Sequence, residues 1–188
     1  SNGPADQHDR LVFMIDVGTE GDGSVNSTFY IDDVEWFDAD GSLPQPSLPL
    51  TWDEFNVYQH TYAFAGSASW FAADPQNPTN TVVEVLKTSL AFDYSGVVLT
   101  NRNGLANPIP FTATEQVLQA RIWSPDVGLP ILMKVENKDN PAVFAQTLAT
   151  TTAVGWDTLS FDFTQPTEGT PGIDLTASYD LPVVFFNF

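Results

Sequence analysis

The chain has 188 residues, enough for one domain with a fragment of another. It carries 24 acidic against 6 basic side chains, a net charge of −18, which repels phosphate backbones and anionic lipid and argues against nucleic-acid binding. The absence of cysteine excludes disulfides, thiolate chemistry and cysteine zinc sites, and the two histidines, His8 and His60, are too few for most transition-metal sites.

With 14 prolines, 12 glycines and 13% aromatic residues, the composition favours strands and turns over helices. No apolar run is long enough to span a bilayer, so no membrane insertion is expected. Leu11–Val17, apolar except for Asp16, is read as a buried strand. Residues 18–24 form a turn rich in glycine and acid, and Thr28–Phe37 is the next strand. Asn26-Ser27-Thr28 is a formal glycosylation sequon. Asp38–Ser47, with a glycine and two prolines, reads as a linker.

Beyond it, turn signals recur about every 8–12 residues, and strands are expected at Ala63–Phe71, Thr81–Thr88, Ser95–Leu99, Glu115–Trp123, Ile131–Asn137, Ala142–Thr151, Asp157–Phe163 and Leu181–Phe188. Several alternate cleanly. Val117, Gln119, Arg121 and Trp123 share one face, and Leu118, Ala120 and Ile122 share the other. Leu159, Phe161 and Phe163 alternate with Ser160 and Asp162. Many short strands of period two imply an all-β fold, a sandwich or barrel.

The two ends of the chain are also similar. Tyr179–Phe188 (YDLPVVFFNF) aligns without a gap on His8–Val17 (HDRLVFMIDV), at an offset of 179 − 8 = 171 residues. The N-terminal copy continues into FYIDDVEWF, and the C-terminal copy stops before that strand. Residues 1–37 therefore read as the tail strands of a preceding tandem repeat, 38–47 as a linker, and 48–188 as a module lacking its own final strand.

In order, LPLTWDEF, TVVEVLKTS, YSGVVL, PFTATEQVLQARIWSPDVGLPILMKVEN, ATTTAVGWDTLSFDF and LPVVFFNF, with FYIDDVEW from the neighbouring unit, resemble carbohydrate-binding modules. The nearest type is the calcium-binding, galactose-binding-like module of secreted bacterial polysaccharide-degrading proteins. The resemblance implies a jelly-roll β-sandwich, a polysaccharide partner, a structural Ca²⁺ and a secreted or cell-surface location. The acidic, cysteine-free, β-rich composition fits that setting. The displaced final strand departs from the family, and implies completion by the N-terminal segment in cis or by a neighbouring chain, since open sheet edges accept strands.

The alternation in Phe29–Trp36 slips at Asp32-Asp33, which suggests a bulge that presents two carboxylates to a hard cation; the plainer reading is a strand ending at the surface. The resemblance adds Asp53 and Glu54, on the module's first strand, to the same calcium site. For sugar, flat aromatic platforms with a few placed polar groups are needed. Candidates are Trp70, Tyr94, Trp123, Tyr58 and Tyr62, beside His60 and Phe71, with Arg121, Gln119 and Arg102 as hydroxyl or anion partners. Trp52, Trp156 and Phe161–Phe163 are expected in the core.

No GxSxG, HExxH or P-loop is present, and an enzyme is not expected. The first functional expectation is therefore a non-catalytic polysaccharide-binding module. The alternative is a structural repeat of an extracellular adhesin or filament, assembled with copies of itself by β-strand exchange.

Overall fold

A computed structural model describes residues 43–54 and 57–188. The expected strands Leu11–Val17 and Thr28–Phe37, and linker residues 38–42, lie outside them. Among the described residues the protein is all-β, with nine strands and no helix. These are β1 (Tyr62–Phe64), β2 (Ser67–Ala73), β3 (Thr81–Lys87), β4 (Gly96–Val98), β5 (Val117–Ser124), β6 (Pro130–Asn137), β7 (Asn140–Thr150), β8 (Gly155–Asp162) and β9 (Leu181–Phe186).

All pairings are antiparallel. One five-stranded sheet runs in the order β1-β4-β9-β6-β7, and two-stranded sheets are made by β2-β3 and by β5-β8. Alternation explains how they stack. Ile131, Met133 and Val135 of β6, Val184 of β9 and Val97 of β4 point into the core from the large sheet. Leu159 and Phe161 of β8 meet them from the other side, with Leu118, Ala120 and Ile122 of β5 partly buried against the same cluster. Two sheets facing each other across one apolar layer are consistent with a β-sandwich. Phe161 is fully buried, and truncating such a side chain costs roughly 3–5 kcal/mol.

The strands expected beyond the linker are present, with one break. Ala63–Phe71 divides into β1 and β2 at Ala65-Gly66, where both residues have positive φ (55° and 92°). A Cβ on Gly66 would also lie 2.6 Å from the Ala91 backbone, so the apolar run could not continue straight through it. The end of the expected linker is packed rather than free. The Pro44 carbonyl accepts from Tyr58 N–H, the Pro46 carbonyl accepts from Ala106 N–H, and Pro46 is buried.

Two aromatic expectations need correction. Trp156 is only half-buried and paired with Trp123 on the outward face of β5-β8. Because Leu159 and Phe161 point inward, even-numbered β8 residues point outward, and Trp156 follows that parity. Trp52 is likewise half-buried, in the wall of a surface groove.

Gly96 sits at a close approach within the large sheet. A Cβ there would sit 2.6 Å from the Val184 carbonyl oxygen and about as close to Phe64 and Phe185, at 3.0 and 3.1 Å. Backbone cannot yield as a flexible side chain can. Gly96→Ala is expected to destabilise the protein by about 1–3 kcal/mol, read as a lower denaturation midpoint at unchanged slope.

Candidate functional site

The outward face of β5-β8 is built from four cross-strand pairs: Val117 with Asp162, Gln119 with Ser160, Arg121 with Thr158, and Trp123 with Trp156. The inward residues of the same strands fill the core, so this ribbon is held from behind. The two indoles meet edge to face, with centroids 5.6 Å apart and planes at 86°. Such a contact adds about 0.5–1.5 kcal/mol beyond burial and fixes both rings. Trp123 keeps 41% of its surface exposed despite this bracing.

Arg121 lies over the Trp156 ring, its guanidinium carbon 4.1 Å from the centroid. One of its nitrogens is 3.4 Å from Asp74 Oδ2. The neighbouring Gln119 amide donates to Ser160 Oγ at 3.3 Å. The result is one exposed indole, a stacked guanidinium, an amide and two hydroxyls on a single rigid face.

Asp74 ties this face to the rest of the domain. It follows β2 and is buried, with 3% exposure. Oδ1 accepts from Gln76 N–H at 2.8 Å, from Asn77 N–H at 3.3 Å and from Trp156 Nε1 at 3.0 Å. Oδ2 accepts from the Asn80 amide at 3.1 Å. Burial pushes the carboxyl pKa up, but the bonds from Gln76, Trp156, Asn80 and Asn77 together outweigh it and hold the group below the ordinary value. Neutral donors thus keep Asp74 ionised, and Arg121 is an addition to a carboxylate already satisfied. At the other end of the face, Asp162 is also held below the ordinary range, by the Thr164 hydroxyl and N–H.

Of the sugar-binding candidates, the structure brings Gln119, Arg121 and Trp123 together. The others sit on separate elements. Trp70 is on β2, its Nε1 donating to Glu84 Oε2 at 3.1 Å. Tyr94 stacks on Phe92 in the loop before β4, with centroids 5.1 Å apart. Tyr58 stacks on His60, and Tyr62 lies under the Arg102 guanidinium. Trp156, Ser160 and Asp74 were missed. Parity alone could have found the first two; nothing marked Asp74 among so many acids.

Asp53 and Glu54 are exposed and line an open groove with Leu43, Trp52, Tyr58 and Thr79. Asp53 Oδ1 accepts from Thr81 N–H at 2.8 Å, and the Glu54 carbonyl accepts from the Gln59 amide. Among the described residues no three His, Asp or Glu side chains cluster, and Asp32 and Asp33 lie outside those residues. Two carboxylates fall short of the roughly six to eight oxygens that calcium takes.

No family model matches the chain, and no curated protein or solved structure does either.

Because Asp74 has a lowered pKa, its stabilising contribution is present above the ordinary value of 3.8 and is lost as pH falls through its folded value. Asp74→Asn is expected to lower the melting temperature at pH 7. It is also expected to flatten the further loss of stability below about pH 4, as a melting series over pH would show. Asp157, Asp162 and Asp174, lowered in the same direction by threonine donors, keep their share of that acid limb.

Proposed function

We propose that this chain is a non-catalytic carbohydrate-binding module of a secreted, modular bacterial protein. Its polysaccharide surface is the outward face of β5-β8. The observation that carries this reading is the exposed Trp123 ring, braced edge-on by Trp156 and flanked by Gln119, Ser160 and Arg121. A lone exposed aromatic is ordinary on a protein surface, and what singles this one out is its bracing and the polar groups beside it. A flat ring can stack beneath the C–H face of a pyranose, while the amide, hydroxyls and guanidinium donate to or accept from its hydroxyls. A rigid platform also loses little freedom on binding, which preserves affinity. No residue set on this face resembles an acid–base pair: one carboxylate is buried under hydrogen bonds, and the other sits at the far end beside Val117.

Isothermal titration against a panel of soluble polysaccharides tests the reading. At least one is expected to bind, and Trp123→Ala is expected to weaken it by about tenfold or more without changing the melting temperature greatly. Absence of binding across the panel would refute it.

The jelly-roll connectivity and the structural Ca²⁺ belong to the same proposal. Asp53 and Glu54 are adjacent and exposed, and need Asp32 and Asp33 to complete an oxygen set. Calcium at about a hundred times its Kd would then stabilise the fold by roughly 2.7 kcal/mol. The melting temperature is expected to rise with calcium, fall with a chelator, and lose this dependence in Asp53→Asn/Glu54→Gln. A calcium-independent melting curve would remove the ion from the account.

A filament repeat assembled by strand exchange draws less support. The Leu181–Phe186 strand, whose likeness to Leu11–Val17 motivated it, lies in the middle of the large sheet, bonded to β4 on one side and β6 on the other. That slot is filled within the chain, while the final strand that exchange would supply, Thr28–Phe37, lies outside the described residues.

A further inference from the structure

The charges around the platform bear on which polysaccharides it can take. Of the six basic residues of the chain, five are among the described residues, and each is already engaged. Lys87 donates to the carbonyls of Asp93, Phe186 and Asn187. Arg102 covers Tyr62, and Lys134 pairs with Glu136 and covers Phe144. Lys138 pairs with Asp139 and Asp180. Arg121 alone stands on the platform, and its charge is set against Asp74 beside it and Asp162 on the same face.

Among the described residues, one cation against two carboxylates leaves the face net negative. The whole chain, at −18, adds a repulsive field of the same sign. A polyuronate or sulfated glycan would bring a charge on every residue or two. It would meet one guanidinium already held between an indole and a carboxylate, and no lysine on this face. The remaining groups, Gln119, Thr158 and Ser160, are neutral donors and acceptors suited to hydroxyls. Arg121 fits this set as a fixed donor fork, with side-chain exposure of 54% and several N–H groups not used by Asp74.

Building on the carbohydrate-binding reading, we infer that the β5-β8 face selects neutral polysaccharides and excludes polyanionic ones, with Arg121 acting as a hydroxyl donor rather than an anion receptor. Specificity here is largely repulsion of the wrong ligand. The corollary is an affinity that scarcely changes with salt, since no charge is neutralised on binding.

Affinity electrophoresis and titration of the full chain test this, using neutral β-glucan, xylan and galactomannan beside alginate, polygalacturonate and a sulfated galactan. Each would be run at about 0.02 M and about 0.5 M salt, with Trp123→Ala as the site control. The expected result is binding to at least one neutral polymer, with Kd constant within about twofold across that salt range, and none to the polyanions. Binding to a polyanion at low salt that disappears in Trp123→Ala would overturn the inference and leave the platform reading intact. Binding to neutral polymers that weakens more than about tenfold with salt would also overturn it. No binding to any of the six would overturn the platform reading, and this inference with it.

Discussion

A single buried carboxylate holds the outward face of β5-β8 to the rest of the domain. Asp74 closes the loop between β2 and β3 by accepting from Gln76, Asn77 and Asn80, and its remaining capacity goes to Trp156 and Arg121 on β5-β8. Buried charge is expensive unless fully hydrogen-bonded, and here it is. The consequence is mechanical. The two small sheets share no strand, yet the indole of one is pinned to the loop of the other. The Asp53 carboxylate bonds Thr81 N–H, at the far side of the same loop, so the groove and the aromatic face are two neighbours of one hairpin.

The platform follows from that anchor. Trp156 is oriented by its bond to Asp74, Trp123 is oriented by Trp156, and Arg121 is laid flat between ring and carboxylate. Behind them Leu118, Ala120 and Ile122 pack against the core that Phe161, Met133 and Val135 fill. Individually these contacts are small, about 0.5–1.5 kcal/mol for a ring pair and about 0.5–1 for an exposed cation over an indole. Together they order an apolar surface before any ligand arrives. In the proposed reading, the acidic excess of the chain would disfavour polyanions at this face.

Much of the fold was legible because period-two alternation is strong in this chain. Leu118/Ala120/Ile122 and Leu159/Phe161/Phe163 are inward, as their spacing requires. The break at Ala65-Gly66 was less legible, since an apolar run conceals a turn whose cause is backbone φ and the approach of Ala91. In the site, Gln119, Arg121 and Trp123 were readable as one polar-aromatic face. Trp156, expected in the core, is turned outward by the phase that Leu159 and Phe161 set. Asp74 was invisible, because its importance comes from Trp156, 82 positions away, and no local pattern encodes that contact. Trp70, Tyr94, Tyr58 and Tyr62, read from residue type alone, lie on elements other than β5-β8.

The most direct test is to follow tryptophan indole and glutamine side-chain amide signals by heteronuclear NMR while a neutral polysaccharide fragment is titrated in. The account predicts that the Trp123 and Trp156 indole resonances and the Gln119 side-chain amide shift together in one saturable transition, while the Trp70 indole, bonded to Glu84, stays in place. Shifts centred on Trp70 or the Tyr58–Tyr62 segment, with Trp123 unmoved, would contradict it.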